Sequence, residues 1–180
     1  GGGQDNAAVG DASVVAGGWG NHAAGKGAMI GGGKNQSVDG AYGFVGGGTN
    51  NMVRGELGSI LGGSGNRVEG FTTTIGGGQD NRTEGAASTV AGGFGNRSAG
   101  SFSSVGGGAV NEVNGNLSVV AGGYSNRVEG AFATIPGGGN NRAEGDYSLA
   151  AGKAAEAVHQ GAFVWSDTSG AAVRSSAPNQ

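Results

Sequence analysis

Gly20, Gly25 and Lys26 are the residues that come nearest to a known chemical motif, because their spacing matches the first part of a phosphate-binding loop. That loop also needs a Ser or Thr after the lysine to bind Mg²⁺, and this sequence has Gly27 there. A chain of 180 residues with 45 glycines is expected to contain such partial matches by chance. The sequence therefore predicts no nucleotide site.

The other residue types that perform catalysis or bind metals are few and scattered. His22 and His159 are the only histidines and lie near opposite ends of the chain, and there is no cysteine. Calcium-binding glycine repeats need an Asp at one fixed place in every turn, but Asp5 and Asp80 have no counterpart in most repeats. We therefore expect no enzyme activity, no metal site and no cofactor.

Charge and hydropathy exclude two classes of partner. The formal net charge is −3 and no basic run occurs, which argues against nucleic-acid binding. No stretch approaches the 18 consecutive apolar residues of a membrane span, so we expect no membrane insertion by this segment. We expect the chain to be part of a longer protein, because it opens in the middle of a repeat.

A glycine recurs every 15 residues from Gly10 to Gly145 and defines a repeat. We number the positions of each repeat so that this glycine is position fifteen. Position five is then always Val or Ile, as in Val15, Ile75, Val90 and Val120, and positions seven and eight are Gly-Gly. Position eleven is Asn in all complete repeats except one, which has Gln36; examples are Asn81, Asn96 and Asn126.

This pattern predicts an all-β fold, a parallel β-solenoid with one 15-residue rung per repeat. Positions two to five and eleven to fourteen alternate like two short strands, with three, five, eleven and thirteen facing inward. The glycines at positions seven, eight and fifteen are expected at the corners, where φ can be positive. Roughly eleven rungs stacked about 4.8 Å apart would form a rod of about 50 Å.

The asparagine at position eleven has two interpretations from the sequence. Stacked amides can form an inward hydrogen-bonded ladder along the rod, which we favour. Alternatively, each Asn starts or closes a turn. Both roles are structural.

Positions two and four carry apolar residues on the face opposite the predicted interior. This stripe is expected to need a partner, because each rung has only a thin core of its own and oligomers compensate for such cores. We expect a side-by-side homotrimer. The stripe comprises Met29, Tyr42, Phe44, Leu57, Phe102, Leu117, Val119, Phe132 and Tyr147.

The repeat, as in residues 118–130 (SVVAGGYSNRVEG), resembles the head repeats of trimeric autotransporter adhesins, the YadA-like heads, and also GGxxN-rich tail-fibre-like proteins. The resemblance covers residues 1 to about 160. It implies a left-handed β-roll, three chains, and an adhesive role at a bacterial cell surface or on a virion fibre. The family repeat usually has 14 residues, so the 15-residue repeat is a departure.

The regular repeat ends near residue 160, where Gly161 comes one residue later than the fifteenth glycine of the repeat would. We expect residues 1–160 to form the solenoid, and residues 161–180 to form a cap or transition segment in which Phe163 and Trp165 cover the open end. The alternative is that these two aromatic residues form a pair that binds a ligand.

Trp19, Phe94 and Tyr124 share position nine, directly after the Gly-Gly pair. Exposed aromatic side chains at a turn can contact a protein or glycan ligand, and they can equally pack against a neighbouring chain. The first interpretation predicts an adhesin that attaches to a host or environmental surface through many weak contacts. The alternative is a structural spacer of a bacterial or phage fibre without a ligand of its own.

Overall fold

The computed structural model describes residues 2–167 and 172–179 and consists of two long parallel β-sheets. Each sheet has twelve strands, and consecutive strands of one sheet come from consecutive repeats. Along most of the rod, residues 15 apart in sequence are paired, as in Thr83 with Ser98 and Ile75 with Val90. The predicted parallel β-solenoid with 15-residue rungs is confirmed.

Most strands contain only two residues, and the two sheets alternate along the chain. The strands are β1 Ala7–Ala8, β2 Val14–Val15, β3 His22–Ala23, β4 Met29–Ile30, β5 Ser37–Val38, β6 Phe44–Val45, β7 Met52–Val53, β8 Ser59–Ile60, β9 Arg67–Val68, β10 Thr74–Ile75, β11 Arg82–Thr83, β12 Thr89–Val90, β13 Arg97–Ser98, β14 Ser104–Val105, β15 Glu112–Val113, β16 Val119–Val120, β17 Arg127–Val128, β18 Thr134–Ile135, β19 Gly138–Gly139, β20 Arg142–Ala143, β21 Leu149–Lys153, β22 Ala155–Ala157, β23 Phe163–Ser166 and β24 Val173–Arg174.

The core is a narrow column between the two sheets. Val15, Ile75, Val90 and Val120 at position five are buried, as predicted, and position thirteen packs opposite them. Position three is also buried and is small because little space remains; a Cβ on Gly58 would collide with Val68. The inward assignment of positions three, five and thirteen is therefore confirmed.

The prediction that the first strand begins at position two is wrong. The strand comprises positions four and five only, and position two lies in a preceding turn with a left-handed backbone. Its φ is 55° at Tyr42 and Phe102 and 57° at Leu57. The side chain nevertheless points outward beside position four, so the apolar face exists although it is not a strand face.

The corner glycines serve two different purposes. Position eight has a left-handed backbone, for example φ 91° at Gly93, as expected for a corner. Position fifteen has no such φ, and glycine is needed there because a Cβ on Gly100 would collide with the carbonyl group of Gly115 in the next rung. The expectation of positive φ at position fifteen is therefore replaced by close approach between rungs.

The asparagines at position eleven are buried and bridge successive rungs, which confirms the inward ladder. The backbone N–H of Asn96 donates to Oδ1 of Asn81 at 2.9 Å. Nδ2 of Asn96 donates to the carbonyl of Gly92 in its own rung at 3.0 Å and to that of Gly108 in the next at 2.9 Å. Asn81 and Asn126 repeat this pattern. The side-chain amides thus bond to carbonyl groups of the glycine corner, so each Asn also stabilises a turn.

The rung that follows Gly145 contains one residue fewer than the others. Thr134 pairs with Leu149 fifteen residues on, but Gly138 pairs with Gly152 fourteen residues on, so position seven is the one omitted. His159 consequently occupies the place of the fifteenth glycine. Gly161 is therefore not a delayed corner glycine, because its φ of 65° and its bond to the Asp146 carbonyl place it at position two.

The solenoid ladder continues beyond residue 160. Phe163–Ser166 pairs with β21, and Val173–Arg174 pairs with β22. Phe163 and Trp165 are exposed on the side of the rod, level with Leu149 and Ala151, so their predicted role as an end cover is wrong. The proposed cap at 161–180 stays a prediction, and residues 168–171 and 180 within it lie outside the described part.

Gln36 provides a test of the asparagine ladder. Its Oε1 accepts the backbone N–H of Asn51 at 2.9 Å, but its buried Nε2 has no hydrogen-bond partner among the described residues. A buried donor without a partner costs about 1–3 kcal/mol. We expect Gln36→Asn to raise the free energy of unfolding by about 1 kcal/mol in urea denaturation.

The reverse change one rung later serves as its control. Asn51→Gln should lower the free energy of unfolding, because the longer side chain cannot reach both corner carbonyls that Asn51 now bonds. A neutral or destabilising Gln36→Asn would contradict this role for the amide column.

Candidate functional site

The three aromatic residues predicted as ligand contacts are exposed in the chain. Trp19, Phe94 and Tyr124 have 42%, 49% and 60% of their surface accessible. Their backbones form parallel bridges with the same position of the neighbouring rungs, so the fold fixes the position of each of these residues along the rod. Phe94 and Tyr124 are two rungs apart, about 10 Å, and Trp19 lies five rungs from Phe94, about 24 Å. The structure therefore spaces these residues along one edge and does not gather them into a pocket.

Trp19 has a neighbour that the sequence analysis missed. Nζ of Lys34, at position nine of the next rung, lies 4.4 Å from the centre of the indole ring. This cation–π contact occupies one face of the ring. The signal was present in the sequence, since stacked rungs place identical positions next to each other.

Charged residues at positions twelve and fourteen form a continuous network on the sheet that contains β9, β11, β13, β15 and β17. Arg97 is its centre: Nε and Nη2 donate to the two carboxylate oxygens of Glu84 at 2.8 and 2.6 Å, and Nη1 donates to Glu112 at 2.6 Å. Arg127 extends the network to Glu129 and Glu112. The ion pairs cross from rung to rung, so this face is partly ordered and not simply solvated.

The hydrogen bonds of the network favour the charged forms of Glu84, Arg97 and Arg127. The hydrogen bond from Arg97 lowers the pKa of Glu84, more than partial burial raises it. The same hydrogen bond raises the pKa of Arg97, and the bond to Glu129 raises that of Arg127. Carboxylates held ionised in this way are unsuited to donating or accepting protons near neutral pH.

His159 has a structural environment. Its Nδ1 lies 2.9 Å from Oγ of Ser175, and the same oxygen accepts the backbone N–H groups of Val158 and His159. Within residues 2–167 and 172–179, no group of three metal-ligating side chains occurs, and no helix is long and apolar enough to cross a membrane.

Comparison with known proteins gives no family for this chain: no family model and no curated protein matches it. The resemblance to YadA-like heads thus remains a resemblance between repeat motifs.

The charged network makes a prediction about stability. Arg97→Ala should lower the free energy of unfolding by about 1 kcal/mol at neutral pH, a value reduced by the partial exposure of the pair. Arg67 occupies the same position two rungs earlier without an ion pair among the described residues, so Arg67→Ala should cost under about 0.5 kcal/mol.

The difference between the two variants should depend on pH. The pKa of Glu84 is lower in the folded state than in the unfolded state. The stabilisation that its ion pair gives to the folded state is therefore complete above the ordinary glutamate pKa of about 4.3, and it is lost as the pH falls through the folded-state pKa. Urea unfolding from neutral pH to below about pH 4 would measure this. Equal costs at neutral pH, or a difference unchanged in acid, would contradict the assignment.

Proposed function

We propose that this chain is a segment of a trimeric fibre head that attaches to a surface through many weak contacts and performs no chemical turnover. The observation that carries the proposal is the apolar column at positions two and four. It is exposed in the single chain, and at position two it occupies a backbone conformation that large apolar residues disfavour.

Besides the glycine at position eight, the backbone of the rung is left-handed at positions two and ten, and the residues at these two positions differ. Position ten mostly holds the residues that tolerate this backbone, as in Asn35, Gly65 and Asp80. Position two instead holds Tyr42, Leu57, Phe102, Leu117, Phe132 and Tyr147. A large side chain in this region costs about 1–2 kcal/mol. Phe132 and Tyr147 stack on each other with ring centroids 4.9 Å apart, yet all six side chains remain at least 45% exposed. A contact with another molecule would explain why position two carries large apolar residues.

The apolar column consists of two patches and is not continuous along the rod. The first patch contains Val14, Met29, Tyr42, Phe44 and Leu57, and the second contains Phe102, Leu117, Val119, Phe132 and Tyr147. Thr72, Thr74, Ala87 and Thr89 separate them. A second copy of the chain has the same patches at the same spacing, so parallel chains in register would match patch to patch. Large exposed apolar patches are typical of protein interfaces.

The number of chains and the hand of the coil come from the resemblance. YadA-like heads imply three chains and a left-handed β-roll, and both belong to this proposal. So does the location, at a bacterial cell surface or on a virion fibre.

The attachment surface that we propose is the column at position nine with the adjacent outward positions. These positions vary from rung to rung, whereas the inward positions are committed to stacking. Three chains would present Trp19, Phe94 and Tyr124 three times each, and multivalency can raise a weak affinity by about 10²–10⁴. A protein or glycan ligand would suit exposed aromatic groups.

A spacer without a ligand is the second candidate. It is favoured by the uninterrupted backbone ladder from Ala7 to Ala157 and by the ion pairs between rungs, which together make a stiff rod.

The association can be tested by replacing one residue at each left-handed corner. Phe102 at position two and Val110 at position ten have φ 55° and 57° and are 63% and 47% exposed. Asn tolerates this backbone better than either residue. We expect Val110→Asn to raise the thermal midpoint, and Phe102→Asn to lower it and to weaken the oligomer, as measured by thermal unfolding and sedimentation velocity.

The matched pair separates association from backbone strain. If position two faced only solvent, both variants would stabilise the chain through the same relief of strain. Stabilisation by Phe102→Asn with an unchanged sedimentation coefficient would therefore contradict the proposed interface.

Attachment is tested by the triple substitution of Trp19, Phe94 and Tyr124 to Ser. Beads displaying the variant should lose attachment to cells that the unmodified chain attaches to, while its circular dichroism and oligomer mass stay unchanged. Full attachment by a folded variant would leave the spacer as the better explanation.

A further inference from the structure

A depression lies on the edge of the rod beside the short rung. Its larger part, about 550 Å³, is lined by Gly138, Gly139, Asn140, Gly152, Lys153, Trp165, Ser166 and Asp167. A smaller part of about 300 Å³ borders Pro136, Ala151 and the same Trp165. The indole is 66% exposed and forms a wall shared by both parts.

Three departures from the repeat meet at this depression. The rung after Gly145 lacks position seven, so its corner is one residue shorter than the corners of the full rungs before it. Position nine of the preceding rung is Gly139, where the earlier rungs have a side chain. Position six of the following rung is Trp165, where the earlier rungs mostly have Gly or Ala.

Gly139 is not required by the backbone. Its φ lies outside the left-handed region, and an added Cβ would meet only the Tyr124 carbonyl oxygen at 3.7 Å, an ordinary contact. Gly138 beside it differs, because its φ is 91° and a Cβ would collide with Gly152. Folding thus explains Gly138 but not Gly139, and the effect of Gly139 is to leave the floor of the depression open.

We propose that this depression binds one pyranose ring of a carbohydrate. The indole face and the glycine floor present mostly carbon, which suits the C–H face of a sugar ring. The lining also contains polar side chains that can form hydrogen bonds with the ring hydroxyls. Lys153 supplies a donor, and the Asn140 amide supplies a donor and an acceptor.

Other small ligands fit this set of groups less well. A quaternary ammonium ion would gain from the indole but would meet the Lys153 ammonium group. A simple anion could pair with Lys153, but it would leave the indole and the glycine surface, which form most of the lining, without a matching apolar group. A sugar ring can place its apolar face on the indole and glycine surface and its hydroxyl groups on the polar side chains of the same lining.

The inference adds a ligand class to the proposed attachment function, on which it rests only for its biological role. Binding of a monosaccharide can be measured on the chain in solution without any attachment assay. Loss of attachment with retained sugar binding would remove the proposed function alone, and the reverse result would remove this inference alone.

Trp19 and Trp165 are the only tryptophans, so Trp19→Phe makes Trp165 the sole indole reporter. The experiment titrates this assembled variant with the methyl glycosides of glucose, galactose, mannose and N-acetylglucosamine, and with tetramethylammonium chloride. At least one glycoside should change the Trp165 fluorescence saturably, in the millimolar range, and the ammonium salt should not.

Gly139→Gln in the same background is the matched control. Gln79 occupies the equivalent position in an earlier rung, so the fold accepts this side chain, and the thermal midpoint should be unchanged. The added side chain fills the floor and should weaken glycoside binding by about tenfold or more.

Three results would overturn the inference. The first is the absence of a saturable response to all four glycosides, and the second is equal binding by the Gly139→Gln variant. The third is an indole that acrylamide cannot quench in the assembled protein, since another copy of the chain would then cover the depression.

Discussion

Successive rungs approach each other so closely at the glycine corners that a Cβ atom at position fifteen would overlap the backbone of the next rung. The buried asparagine amides bridge the other corner, each bonding a carbonyl group in its own rung and one in the next. These two contacts fix the rung spacing and the register together. Since both recur in nearly every rung, the sequence can vary only at positions that point away from the interior.

That constraint leaves a core too narrow for large side chains. Position five accepts Val or Ile, while positions three and thirteen accept little more than Ala, Ser, Thr or Val. Large apolar residues can then occur only outside, at corners and on outward strand positions. They are frequent at the left-handed corner of position two, whereas Val110 is the one such residue at the equally left-handed corner of position ten within the described residues, and this asymmetry favours self-association.

The sequence was sufficient to predict the solenoid, the inward positions and the asparagine ladder, because each depends on a residue type that recurs with the same period. It was insufficient for position two, since Tyr42 and Phe102 are residues that ordinarily argue against a left-handed backbone. The role of the fifteenth glycine was also missed, because close approach and positive φ both select glycine. Gly161 was misassigned because a single omitted residue shifts the register of all that follows.

The candidate sites were predictable only in part. Exposure of Trp19, Phe94 and Tyr124 follows from their place in the repeat, whereas the contact of Lys34 with Trp19 depends on side-chain conformations between rungs. The depression at Trp165 was not predicted because it results from three irregularities in three successive rungs, whose meeting point depends on the pairing of β19, β21 and β23.

We propose that the apolar column joins copies of this chain side by side, so the mass of the folded protein in solution should be a multiple of the chain mass. Sedimentation equilibrium or native mass spectrometry at micromolar concentration should give three times the 17.1 kDa chain mass, with dissociation only on unfolding. A folded, stable species of 17.1 kDa under the same conditions would show that the apolar column does not join copies of the chain.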